Sequence, residues 1–135
     1  MSVWYIDTSA ALKFVVNEPE SDALARELRR ERPDLVASLL LETEVRRAAT
    51  HLDLPQAVAT DILSTISLVE LEPGTYRQAG LLPGMTLRSL DAIHLASALN
   101  LGVDAILTYD ARLTQAAYLA GIPTIAPAGT AERPR

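Results

Sequence analysis

Two kinds of apolar pattern alternate along the chain. Short unbroken runs, of which Val3-Trp4-Tyr5-Ile6 is the first, predict strands buried on both faces. Further runs of this kind cover 34–37, 68–71, 105–108 and 122–125. Between them lie longer stretches with the spacing of helices that bury one face. They predict helices over 10–15, 21–30, 39–51, 55–66, 73–82, 89–101 and 111–120. The punctuation agrees with these bounds. Ser21, Ser38 and Ser89 are expected to cap helices, Pro55 and Pro73 suit first turns, and Gly102 and Gly121 suit helix ends. The helix at 89–101 is apolar almost all round, with Leu90, Ala92, Ile93, Leu95, Ala96, Ala98 and Leu99, so it is expected to be buried. Strands alternating with helices predict one domain over 1–126, a three-layer α/β/α sandwich with a parallel, Rossmann-like sheet. Residues 127–135 have little to bury and are expected to be disordered.

Composition narrows the chemistry. At 135 residues, 49% of them hydrophobic and 21% charged, the chain is long enough for a real core. It contains no cysteine, which excludes disulfides, thiolate nucleophiles and cysteine zinc sites. No apolar run approaches the roughly 20 residues of a membrane span, and a secretory signal is not evident, so a cytoplasmic location is expected. The net charge of −5 argues against coating nucleic acid through a broad positive surface. An enzyme that meets nucleic acid through bound cations remains compatible with it. Lys13 is the single lysine, so chemistries that need a placed lysine have little material.

Asp7 and Asp110 each stand where a predicted strand ends and a helix begins. In open α/β sheets ligands gather at the carboxyl ends of strands. Asp91 lies two residues after Ser89 at the head of the apolar helix, and Glu42 and Glu44 lie in the first turns of another. Converging carboxylates without cationic partners repel one another, and a hard divalent cation with oxygen ligands relieves that repulsion. Such clusters activate water for displacement at phosphorus. Taken singly, Asp7 and Asp110 are also good helix caps and Asp91 complements a helix dipole. Taken together, with Asp91 heading an otherwise apolar helix, they are better explained by a metal site.

Other polar residues carry less. His94, three residues after Asp91, is expected to be a hydrogen-bonded core residue rather than a ligand or base. His51 reads as an exposed helix end. Ser9 has no matched histidine base for a serine-hydrolase mechanism. Arg46 and Arg47 fall on a solvated face, and Trp4, Tyr5 and Phe14 are expected in the core. Periodicity barely separates the two glutamates. With Leu41, Val45, Ala48 and Leu52 as the buried stripe, Glu44 lies about 70° to one side of its centre and Glu42 about 90° to the other.

Four stretches resemble the PIN domain, and within it the VapC-type toxin ribonucleases of bacterial toxin–antitoxin pairs. They are Tyr5-Ile6-Asp7-Thr8-Ser9-Ala10, Glu44-Val45-Arg46-Arg47-Ala48, Ser89-Leu90-Asp91-Ala92-Ile93-His94-Leu95-Ala96 and Leu107-Thr108-Tyr109-Asp110-Ala111-Arg112-Leu113. Their order and spacing cover nearly the whole chain short of its tail. The resemblance implies a site of Asp7, Glu44, Asp91 and Asp110, with the hydroxyls of Ser9 and Thr108 in support. It implies Mg²⁺- or Mn²⁺-dependent hydrolysis of RNA without a covalent intermediate. It also implies a homodimer and a VapB-like antitoxin that binds the helical hairpin at 39–66 and reaches into the acidic pocket.

Rival readings fit less well. A haloacid-dehalogenase-type phosphatase wants an aspartate where Ser9 stands, and a receiver domain wants a lysine after a late strand. A catalytically silent module that keeps the fold and only pairs with a partner is the alternative from another class, and four intact acids disfavour it.

Overall fold

The computed structural model describes residues 1–128. The first strand, β1 (Val3–Ile6), leads into a short helix α1 (Thr8–Ala11) that tightens into a 3₁₀ turn over Leu12–Phe14. Then come α2 (Ser21–Glu31), β2 (Asp34–Ser38), α3 (Leu40–His51), α4 (Gln56–Leu63) and β3 (Ser67–Val69). The second half adds α5 (Pro73–Gly80), α6 (Ser89–Leu101), β4 (Ala105–Leu107), α7 (Ala111–Leu119) and β5 (Thr124–Ile125). The five strands form one sheet in the order β3-β2-β1-β4-β5, and every pairing is parallel. The α/β class and the parallel sheet are as the alternating pattern predicts. None of the described helices is long and apolar enough to cross a membrane.

The central strands explain why the sheet is covered on both faces. Trp4, Tyr5 and Ile6 point to alternate faces and all three are buried, as are Ala105, Ile106 and Leu107 of β4. Fully burying one large aliphatic side chain contributes about 1.5–3 kcal/mol, so these two strands anchor the core. The chain builds outward from β1 to β2 and β3, then crosses to the other side of β1 for β4 and β5. The strand order therefore reverses between β1 and β4, and a crevice opens at their carboxyl ends. Ile6 pairs with Leu107, which sets Asp7 beside Thr108 at that crevice.

Several local expectations fail for physical reasons. Ser38 does not cap α3: it is the last residue of β2, and Leu39 takes the cap position with its N–H donated to the Val69 carbonyl at 2.9 Å. Arg88, not Ser89, occupies the cap of α6. Neither cap position carries a side-chain hydrogen bond, and at α3 the backbone contact with Val69 holds the helix start instead. Phe14 is exposed, because the tightened turn after α1 swings it off the core, and Leu90 of α6 is exposed too. On α3 the buried stripe is Leu41, Val45 and Ala49, while Ala48 is half-buried and Leu52 exposed. Of the 127–135 segment, residues 129–135 lie outside the described residues, and the Pro127 carbonyl accepts the Tyr109 hydroxyl at 2.7 Å.

The end of α2 carries a feature the sequence does not advertise. Arg32 closes the helix in the left-handed region at φ 47°, where its N–H reaches the Leu28 carbonyl at 2.9 Å. A Cβ is disfavoured there, and Arg32 itself is exposed. Arg32→Gly is expected to stabilise the fold by about 0.5–1 kcal/mol, less than the full strain because glycine gains freedom in the unfolded chain. Urea denaturation would register this as a higher midpoint at unchanged slope.

Candidate active site

Asp7 stands just past the carboxyl end of β1, beside β4. It is buried at the junction of β1 and α1, where its side chain caps the helix by accepting the Ala10 N–H at Oδ1, 3.1 Å away. Ser9 Oγ donates to the same oxygen at 2.7 Å, and Thr108 Oγ1 donates to Oδ2 at 2.6 Å. Each of these hydroxyls is itself held: Ser9 Oγ accepts the Tyr109 N–H at 2.9 Å and Thr108 Oγ1 accepts the Asp110 N–H at 3.0 Å. The two hydroxyls thus tie the end of β4 to Asp7. Burial raises the Asp7 carboxyl above the usual carboxylate range, against the hydrogen bonds from Thr108, Ser9 and Ala10, which work to lower it.

Asp110 caps α7 with one oxygen, Oδ1, which accepts the N–H groups of Arg112 at 2.8 Å and Leu113 at 3.1 Å. Capping leaves its second oxygen over. The structural and chemical readings of Asp7 and Asp110 are therefore compatible. Asp91, in the first turn of α6, is half-buried and has no hydrogen-bond partner among the described residues. Its carboxyl is raised by burial first and then by the charge of Asp110, with smaller contributions from Asp7 and Glu44 that His94 partly offsets. Asp91 thus feels the charge of the other three acids.

Glu44 enters from α3. Its Oε1 accepts Thr8 Oγ1 at 2.8 Å and meets His94 Nε2 at 2.6 Å. Burial works to raise this carboxyl, but the hydrogen bond and charge of His94, together with Thr8, outweigh it and hold the group low. Glu42 faces elsewhere and pairs with Arg46 one turn on. Arg46 also donates to Gln56 and Thr60 of α4, both at 3.2 Å, so it staples the α3–α4 hairpin. His94 is buried and hydrogen-bonded as expected, and the partner is one of the site acids. Sequence reasoning did not single out Thr8 or the Tyr5 hydroxyl, which bonds the other side of His94. Thr8 adjoins Asp7, but only the packing of α1 on α3 gives its hydroxyl a partner.

Among the described residues, no three histidine or carboxylate side chains stand close enough together to enclose a cation. The donor set still suits one. It consists of carboxylate oxygens, with Asp7 raised by burial and Asp91 by burial and like charge, and Mg²⁺ usually keeps several waters and takes only one or two protein carboxylates. A water-rich ion fits this arrangement better than a dedicated protein cage.

The PIN-domain family model matches residues 4–119, which include all four acids. The chain is 42% identical over 130 residues to ribonuclease VapC46 of Mycobacterium tuberculosis, covering 94% of this chain and 99% of the relative. The chain belongs to the PIN-domain family of VapC ribonucleases. Ribonuclease VapC35 of the same species is 37% identical over 131 residues, 91% of this chain and 96% of that one. The fold matches the crystal structure of M. tuberculosis VapC20, a sarcin–ricin-loop-cleaving toxin, with a TM-score of 0.70 at 20% identity, over 93% of this chain and 100% of VapC20. A toxin–antitoxin complex from Klebsiella pneumoniae gives 0.69 at 21% identity, covering 92% and 97%. The fold expected of a VapC-type PIN domain is thus present from end to end of the described strands.

Proposed function

We propose that this VapC-family chain is the ribonuclease toxin of a toxin–antitoxin pair and cleaves RNA by metal-assisted hydrolysis, with Mg²⁺ or Mn²⁺ as cofactor. Asp7, Glu44, Asp91 and Asp110 are its metal-holding and catalytic set. The reading is carried by the 42% identity to ribonuclease VapC46, and the charges that Asp110, Asp7 and Glu44 exert on Asp91 support it.

When bound, such a cation polarises phosphoryl oxygens and makes a bound water more acidic. The residues divide the remaining work. Asp7 is locked in one orientation by three hydrogen bonds. Asp110 keeps one oxygen on the backbone of α7 and offers the other. Asp91, raised by burial and then by its acidic neighbours, and without a hydrogen bond among the described residues, is best suited to take a proton from the attacking water. Ser9 and Thr108 act by orienting Asp7. The net charge of −5 makes cations the natural bridge between this acidic crevice and an RNA phosphate.

The same reading includes a VapB-like antitoxin, lying on the α3–α4 hairpin and reaching into the acidic crevice, and a homodimer working in the cytoplasm. The Klebsiella pneumoniae complex, whose fold this chain shares, supports the antitoxin.

The test is a nuclease assay on the purified chain with total cellular RNA, with and without Mn²⁺ or Mg²⁺, followed by sequencing of the cut ends. Metal-dependent cuts at a defined sequence are expected. Either cation is also expected to raise the melting temperature, since a ligand at a hundred times its Kd adds about 2.7 kcal/mol to the folded state. A chain that neither cuts nor responds to metal is the silent binding module instead.

A further inference from the structure

Beyond the four acids, one line of hydrogen bonds crosses the molecule and ends on Glu44. It starts at the end of β2, where the Ser38 N–H donates to the Tyr5 hydroxyl of β1 at 3.1 Å. The Tyr5 hydroxyl meets His94 Nδ1 of α6 at 2.6 Å, and the two rings stand edge to face with centroids 5.5 Å apart. His94 Nε2 meets Glu44 Oε1 of α3 at 2.6 Å, and Thr8 Oγ1 of α1 donates to the same oxygen. Five elements are pinned along this line, and Tyr5 and His94 are buried.

The chemistry of the partners fixes the direction at its working end. An ionised carboxylate only accepts, so the proton between His94 and Glu44 belongs to Nε2. With two donors on Oε1, that oxygen is used up, and Oε2 has no partner among the described residues. The Tyr5 hydroxyl, whose pKa burial pushes up to about 12, stays protonated and is available to donate to Nδ1. A ring held at both nitrogens can neither flip nor change which nitrogen faces the acid.

Resting on the metal reading above, we propose that His94 is a positioning residue: held by Tyr5, and acting with Thr8, it occupies Glu44 Oε1 so that Oε2 alone is presented to the divalent cation. Neither the family pattern nor the apolar spacing of α6 assigns His94 this role. Partners that orient a ligating side chain commonly change metal affinity by about 10–100-fold when removed.

Four variants and three readouts test this. Mn²⁺ affinity is measured by calorimetry without RNA, and kcat and KM are measured at saturating Mn²⁺. His94→Leu is expected to weaken Mn²⁺ binding by about tenfold or more while leaving KM for RNA within about twofold. His94→Gln, which restores an N–H donor towards Glu44, is expected to recover most of the affinity, a rescue that simple core filling does not predict. Tyr5→Phe keeps the ring but frees Nδ1 and is expected to fall between the two. A folded His94→Leu chain that binds Mn²⁺ like wild type overturns the proposal. Should His94→Leu fail to fold, ¹H–¹⁵N correlation spectra of the wild-type imidazole decide: a proton on Nε2 is expected, and a ring protonated at Nδ1 alone overturns it. If Glu44→Gln binds Mn²⁺ as tightly as wild type, Glu44 is no ligand, and the metal assignment falls together with this one. If Glu44→Gln weakens binding and His94→Leu does not, only the positioning role is lost.

Discussion

Asp7→Asn is expected to fold at least as stably as wild type and to lose RNA cleavage by about a hundredfold to a thousandfold, the range for removing one preorganised charged group from an active site. The stability half follows from burial. The folded Asp7 carboxyl is raised above its unfolded value, so between the two values the folded state holds the proton more tightly. Asp7 therefore contributes least instability in acid, and stability falls as pH rises from the unfolded value through the folded one. Asparagine does not ionise, so it removes this loss. Asparagine still accepts from Ser9 and Ala10 with its carbonyl oxygen, but it turns an N–H towards Thr108, which must then stop donating. The net gain is set at roughly 2–5 °C in melting temperature, equivalent to about 1 kcal/mol at this chain length. Glu44 works in the opposite sense, since its lowered carboxyl contributes stability above its unfolded value that is lost on acidification. The difference between wild-type and Asp7→Asn melting curves across the carboxylate pH range isolates the Asp7 part. A variant that cuts RNA at the wild-type rate would remove Asp7 from the mechanism.

The second large effect separates the two glutamates of α3. Glu44→Gln is expected to lower metal-dependent cleavage by about a hundredfold or more. Glu42→Gln is expected to stay within about twofold of wild type and to cost no more than the few tenths of a kcal/mol of an exposed helical ion pair. The side chain of Glu44 is 20% exposed and bonded to Thr8 and His94, while that of Glu42 is 39% exposed and bonded to Arg46. Both variants belong in one background with Mn²⁺ titrated to saturation, so that weaker metal binding is not read as lost chemistry. An inactive Glu42→Gln beside an active Glu44→Gln would place the metal on the other side of α3.

Much of this molecule is written in local pattern. The unbroken apolar runs at 3–6 and 105–108 have too few polar positions to face water on either side, so they dictate central parallel strands. An aspartate at or just beyond the end of each such strand is then carried to the carboxyl edge of the sheet, whatever the helices do. Asp7 and Asp110 were legible for that reason. Asp91 was legible because a carboxylate heads a helix that is otherwise apolar.

Glu44 was not decided by pattern. Around a helix, the stripe of Leu41, Val45 and Ala49 is centred about 40° past Leu41, which leaves Glu42 nearer the buried side than Glu44 by the same spacing. Periodicity records which face of α3 meets the main core, and Glu44 is covered by something else: α1 and α6, which bring Thr8 and His94 over it from sites 36 and 50 residues away. From sequence, Glu44 is favoured mainly by the resemblance to the VapC pattern. Likewise the apolar surroundings of His94 predict burial, but burial is silent about the partner. The hydrogen bonds from Tyr5 to His94 to Glu44 join residues on three elements, and such a line exists only when the sheet order and the helix packing set their ends within 3 Å. Local spacing determines which residues lie at strand ends and which faces are buried; the packing of separate elements decides which polar atoms meet.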